Sequence, residues 1–211
     1  MRSHFGGRPY FEVGEAWPTT KTGQPLDFIM QVVASDEAIL PAAIALVQLF
    51  YSWEAFPWDT EEEGWLVKTY PAFFLEQAQA IERPASSAKP AFCDIIFSPI
   101  HSLPSWEGLN ELHADAPALA EVLNEENPWQ AYEEAAAQLL GESNYQSILG
   151  GYPRWLQGAN NPVDAAGQNL PLLFQLDSEA RAGSMWGDTG LAYVFYDLQQ
   201  PERFTCELQC L

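Results

Sequence analysis

Polar and apolar positions settle into a strand pattern at 28–33. There Phe28, Met30 and Val32 fall on one side, and Ile29, Gln31 and Val33 on the other. Residues 172–177 repeat it, with Leu172, Phe174 and Leu176 alternating with Leu173, Gln175 and Asp177. Both sides are mostly apolar, as in sheet strands covered on two faces. Leu49-Phe50-Tyr51-Ser52 and Val194-Phe195-Tyr196-Asp197 form a second related pair. Trp65-Leu66-Val67-Lys68-Thr69-Tyr70 and Phe92-Cys93-Asp94-Ile95-Ile96-Phe97 also read as strands.

The related strands belong to an internal duplication. Gly6-Gly7-Arg8-Pro9-Tyr10 corresponds to Gly150-Gly151-Tyr152-Pro153-Arg154, and Gln31 to Gln175, both at a separation of 144 residues; Phe50 and Phe195 are 145 apart. Three motifs in one order at nearly one spacing define two repeats, about 1–52 and 150–211, with an insertion at about 53–149. A glutamine recurring on an apolar strand needs hydrogen-bond partners. The reading is an equivalent structural bond in each half, with a ligand role for Gln31 and Gln175 as the alternative. The glycine pairs suit a tight turn or a close backbone approach; they lack the spacing and following helix of a phosphate loop.

Within the insertion, 73–81 reads as a short helix and 84–90 as a loop. Asp115-Ala116-Pro117 starts a helix running to about Leu123. The clearest helix follows Asn127, with Pro128 in its first turn and Gln130 placed to close a capping box. Trp129, Tyr132, Ala136 and Leu139 fall at helical spacing, Gly141 ends the run, and Glu133 and Glu134 point to solvent.

Charge changes the picture most. The 211 residues carry 29 acids against 9 bases, a net charge of −20, which makes nucleic acid and anionic membrane poor partners and a cationic protein a good one. Between Lys89 and Arg154 there is no Lys or Arg, yet ten acids: Asp94, Glu107, Glu111, Asp115, Glu121, Glu125, Glu126, Glu133, Glu134 and Glu142. A second group is Glu54, Asp59, Glu61, Glu62 and Glu63. A face selected only for solubility usually mixes both signs, so this imbalance favours a basic partner; acidity that serves solubility alone is the other reading of this charge. Helix-dipole stabilisation is a competing, structural reason for Glu125, Glu126, Glu133 and Glu134. No apolar run reaches the length of a membrane span, and the first residues lack a secretory signal's apolar stretch. Cys93, Cys206 and Cys210 read as free thiols in a reducing cytoplasm.

Catalytic chemistry is hard to find. His4, His101 and His113 are not at metal-ligand spacing, and neither a nucleophile elbow nor a zinc-protease motif occurs. Asp188, inside Trp186-Gly187-Asp188-Thr189-Gly190, suits a turn feeding the last repeated strand, or a cation or base site. Trp53, Phe56 and Trp58 beside Asp59 suit core, an interface anchor, or a stacking platform. The expectation is a binding protein with neither metal nor cofactor.

Gly6-Gly7-x-Pro9, Trp17-Pro18, Phe28 to Gln31, Leu49 to Tyr51, Ser102-Leu103-Pro104-Ser105, Gly150-Gly151-Tyr152-Pro153, Leu172 to Asp177 and Trp186 to Tyr196 together resemble the YwqG-like family of bacteria, a family of unknown function. The resemblance covers nearly the whole chain. It implies one α+β, β-rich domain over 1–211, made of two intertwined, duplicated β repeats with a helical insertion, and it carries over no active site. Some members serve as immunity proteins beside toxins, including nuclease effectors of type VI secretion. The resulting expectation is a monomeric cytoplasmic antitoxin that blocks the active site of a basic DNase. Its expected contacts are Trp53, Trp58, Asp59, Glu61, Glu62, Glu63, Glu125, Glu126, Glu133 and Glu134. The alternative is a small-molecule binder or enzyme using a cleft between the repeats around Gln31, Gln175 and Asp188.

Overall fold

The structure, a computed structural model, describes residues 1–85, 90–141 and 147–211, the side chain of Glu111 aside. Lys89, within the loop expected at 84–90, and Glu142 lie outside these residues. Two antiparallel sheets carry the fold. The first contains β1 (His4–Phe5), β2 (Asp27–Val33), β3 (Leu46–Tyr51), β4 (Trp65–Tyr70) and β5 (Cys93–Asp94), in the order β4-β3-β2-β1-β5. The second contains β6 (Ile148–Leu149), β7 (Leu172–Asp177), β8 (Leu191–Tyr196) and β9 (Phe204–Gln209), in the order β6-β7-β8-β9. β4 and β9 thus take the same place beside β3 and β8. The result is a β-rich α+β protein.

The strands β2, β3, β7 and β8 are covered on both faces, but the alternation is broken once in each half. One bulge lies between Phe28 and Met30 in β2, and another between Leu172 and Phe174 in β7. The extra residue turns two neighbours the same way. Ile29 and Met30 both enter the core shared by the two sheets, as do Leu173 and Phe174. Phe28 and Leu172 instead face outward, where they join separate clusters. The strict alternation read from the sequence is therefore corrected at both sites. The shared core is completed by Val47, Leu49 and Tyr51 from one sheet and Ala192, Val194, Cys206 and Leu208 from the other, together with Trp186.

Each outer face is covered by the segment that follows the glycine pair. Phe11, Trp17 and Leu26 pack on Phe28 and Phe50. Trp155, Leu156 and Leu170 pack on Leu172, Tyr193 and Phe195. These covering segments are also alike in backbone. Thr20 donates to Gln24 O at 2.8 Å, and Leu26 to Pro18 O at 3.0 Å. Asp164 donates to Gln168 O and Leu170 to Pro162 O, both at 2.8 Å.

The insertion carries α1 (Trp106–Leu112), α2 (Ala116–Leu123) and α3 (Pro128–Leu140), which pack on one another. Helices α2 and α3 match the sequence reading; α1 is an addition to it. The helix expected at 73–81 is only a 3-10 turn, Leu75–Gln77, and the strand expected at 92–97 only β5. The capping box at Asn127 does not form, because Gln130 reaches forward and donates to Glu134 at 2.8 Å.

Candidate functional site: an acidic cleft at the seam of the two halves

The loop joining β3 to β4 is fixed by its own polar groups. The Ser52 hydroxyl accepts the Ala55 N–H at 3.0 Å, the Phe56 N–H reaches Ser52 O at 2.8 Å, and the Tyr51 hydroxyl donates to Pro57 O at 2.8 Å. The carboxylate of Glu62 accepts the Trp58 N–H at 3.1 Å, and that of Asp59 accepts the Glu61 N–H at 2.8 Å. Glu63 accepts the Lys21 N–H.

The far side of this loop is stitched to the second sheet. Leu208 donates to Trp58 O at 2.8 Å, and Asp59 bridges to Glu207. The Thr60 hydroxyl lies 3.1 Å from Cys206 O and 2.9 Å from Cys206 N, donating to one and accepting from the other. A cleft of about 240 Å³ opens along this seam. It is lined by Asp59, Thr60 and Glu61 from one half, and by Asn160, Pro162, Phe195, Thr205, Cys206 and Glu207 from the other. Three carboxylates therefore share a cleft whose lining, among the described residues, holds no basic side chain.

Glu207 is the most constrained of the three. Its carboxylate accepts Asn160 at 2.5 Å and Gln209 at 3.1 Å. Burial pushes its pKa above the usual glutamate value; the bonds from Gln209 and Asn160 oppose this, and nearby Asp59 adds to it. A guanidinium or ammonium seated here would relieve that penalty. The neighbouring Cys206 thiol is buried in the shared core and pushed up to about 12, by burial first and then by Glu207 and Asp59.

The residues expected at the interface separate into three groups. Asp59, Glu61, Glu62, Glu63 and Trp58 stand together on the loop, exposed. Trp58 meets Phe56 edge-on at 5.4 Å and remains 43% exposed. Trp53 does not join them. It packs on the Trp186 ring at 4.8 Å and on Tyr51 at 5.1 Å, so it is half-buried at the margin of the core. Glu125 and Glu126 lie between α2 and α3, and Glu133 and Glu134 are exposed on α3. Among the described residues the ion pairs are Arg2–Asp94, Lys68–Glu15 and Arg83–Asp27, none of which engages these eight acids.

Gln31 and Gln175 are fully buried. Gln31 accepts the Tyr10 N–H and donates to Arg2 O at 3.1 Å; Gln175 accepts the Arg154 N–H. Asp188 is exposed on a turn closed by a bond from Gly190 N to Trp186 O at 2.6 Å. None of the three lines the seam cleft. A second cavity, about 460 Å³, instead lies between the insertion and the second half, lined in part by His101, Ser105, Trp106, Tyr132, Tyr152 and Trp155. Among the described residues no three metal-ligating side chains converge, and no helix is long and apolar enough to cross a membrane.

Glu207, Asn160 and Thr60 are not among the residues the sequence singles out. The contacts that join Glu207 to Asn160 and Thr60 to Cys206 are between residues far apart along the chain, so no local spacing reveals them. One signal exists: Pro18-x4-Gly23-Gln24-x-Leu26 recurs as Pro162-x4-Gly167-Gln168-x-Leu170, which places Asn160 within the second covering segment.

Fold and site together define a duplicated, β-rich α+β protein with an acid-lined cleft where its halves meet. The family model described as "Domain of unknown function (DUF1963)" matches residues 3–205, and the chain belongs to that family. A search of curated proteins finds no match.

Proposed function

We propose that this protein, as a YwqG-like member of its family, is a cytoplasmic immunity protein that binds a basic toxin, a DNase effector of a type VI secretion system, and occludes its active site. The observation that supports this reading is the seam cleft. Asp59, Glu61 and Glu207 face a space large enough for a side chain, with no basic residue in its described lining. A DNase must present cations to hold phosphates, and those same cations complement this cleft. Trp58 beside it supplies an apolar anchor of the kind that dominates interface energetics.

The test is calorimetry with the purified product of the neighbouring gene, together with co-expression of that product in cells. Binding weakened by Asp59→Asn with Glu207→Gln, and protection lost with it, is the expected result. No complex and no protection would refute the assignment.

The cavity of about 460 Å³ favours a second reading, as a small-molecule binder. Its size is that of ligand clefts, and aromatic walls with a few polar groups are their usual lining. A melting-temperature screen whose hits depend on Tyr132 and Tyr152, but not on Glu207, would favour this reading over the first.

A further inference from the structure

The helix α2 is built with its bulk on the outside. Ala120 is its buried residue, and the helix lies against the other insertion helices. Leu119, Val122 and Leu123 are instead 66%, 83% and 71% exposed. These three positions fall at i, i+3 and i+4, so they form one stripe on one side of the helix. Asp115 lies one turn before Leu119 on the same side, and Glu125 and Glu126 follow the C-cap Asn124; all three are exposed. The apolar stripe is thus bracketed by acids at both ends, inside residues 90–153, which contain no Lys or Arg.

Bulky aliphatic side chains outside and a small alanine inside reverse the usual arrangement of a helix that packs on its own protein. Charge restricts the occupant. A second copy would bring like charges together, because each chain carries −20. An anionic lipid surface is disfavoured for the same reason. A cationic segment with apolar residues at helical spacing satisfies both the stripe and the acids that bracket it.

We propose that α2 is a docking surface for a basic amphipathic helix, with Leu119, Val122 and Leu123 receiving its apolar side and Asp115, Glu125 and Glu126 pairing with its flanking cations. This rests on the reading of the protein as a binder of a basic partner, and it adds a second contact to the seam cleft. The exposed aliphatic side chains set the affinity; the acids set orientation and the rate of encounter.

The experiment uses the full chain and three labelled peptides, followed by fluorescence anisotropy. One is a Leu/Lys peptide with leucines at i, i+3 and i+4. The second has the same composition scrambled so that no apolar side forms, and the third is an oligoarginine. The amphipathic peptide should bind about tenfold more tightly than the scrambled one. Val122→Ser with Leu123→Ser should abolish that difference, while Asp59→Asn with Glu207→Gln leaves it intact. Both serine positions are exposed in the wild type, and circular dichroism melts check that the fold survives.

Equal binding of the ordered and scrambled peptides, or indifference to the serine substitutions, would overturn the proposal. If oligoarginine still bound through the seam cleft, the reading of a basic partner would stand. If no basic peptide bound at all, both would fall. Concentration-dependent dimerisation in sedimentation, lost in the serine variant, would assign the stripe to a second copy and overturn the proposal.

Discussion

The side-chain oxygen of Gln31 accepts the backbone N–H of Tyr10 at 3.0 Å, and Gln175 accepts that of Arg154 at 2.8 Å. Each bond ties the covering segment to its sheet three residues beyond the glycine pair. Both glutamines are fully buried; Gln31→Leu strands the buried Tyr10 N–H away from water, and Gln175→Leu removes the partner of the part-buried Arg154 N–H. Gln31→Leu and Gln175→Leu are each expected to cost about 1–3 kcal/mol in urea unfolding. A pure ligand role would leave the unfolding curve unchanged.

The glycine pairs do similar work with unequal tolerance. Gly6 N donates to Ile29 O at 2.8 Å and Gly150 N to Leu173 O at 2.9 Å, and both glycines are left-handed, with φ of 52° and 69°. Around Gly150 a Cβ meets nothing within 4 Å, whereas at Gly6 it would lie 2.1 Å from the Pro90 carbonyl oxygen. Gly150→Ala should therefore cost only the left-handed penalty, about 1–2 kcal/mol. Gly6→Ala should cost about 3 kcal/mol or more, since backbone must move. Thermal melts of the two variants test the difference.

What is legible in the sequence follows from the range of the forces involved. The strands of the duplication are readable because burial on both faces imposes apolar runs, and the structural role of the glutamines because a buried amide must be bonded. The bulges are not readable: one extra residue leaves no mark in a run that is apolar on both sides. Helix α1 is hidden by Gly108, a poor helix former, whose absent side chain leaves room for Trp155; a Cβ there would sit 3.2 Å from the indole nitrogen. Asp59 is legible as part of an acidic run. Its pairing with Glu207 is not, because it depends on how the two sheets meet.

Trp53 and Trp58 lie five residues apart and should behave oppositely. Trp53 packs on Trp186 and Tyr51 at the core margin. Trp53→Ala is expected to lower stability by about 2–3 kcal/mol. Trp58 is far more open. Trp58→Ala should change stability by about 1 kcal/mol or less but weaken binding of the basic partner by about 2 kcal/mol. Urea melts and calorimetry on the same two variants separate the effects.

Cys206 is buried between the sheets, its thiol pushed up to about 12. The nucleophilic thiolate is almost unpopulated at neutral pH, and the sulfur is out of reach. Maleimide labelling followed by peptide mass analysis should leave Cys206 unmodified in the folded protein. Labelling should appear only across the global unfolding transition, because the site opens with the core.

Glu207 gives the pH dependence a defined sign. Burial, with Asp59 adding to it, raises its pKa in the folded protein, so the folded state holds this proton more tightly than the unfolded chain. Its stability contribution is therefore greatest below the usual glutamate range and is lost as pH rises through the folded value. Unfolding free energies measured from about pH 4 to 7 should show that downward contribution in the wild type and lack it in Glu207→Gln. Binding should run the other way. A cation in the seam cleft needs the ionised carboxylate, so acidification should weaken oligoarginine binding at a higher pH than protonation of ordinary exposed carboxylates would. In Glu207→Gln the affinity at neutral pH should be lower, and the remaining loss should move to more acidic pH. An unchanged binding profile in that variant would show that Glu207 takes no part in holding the cation.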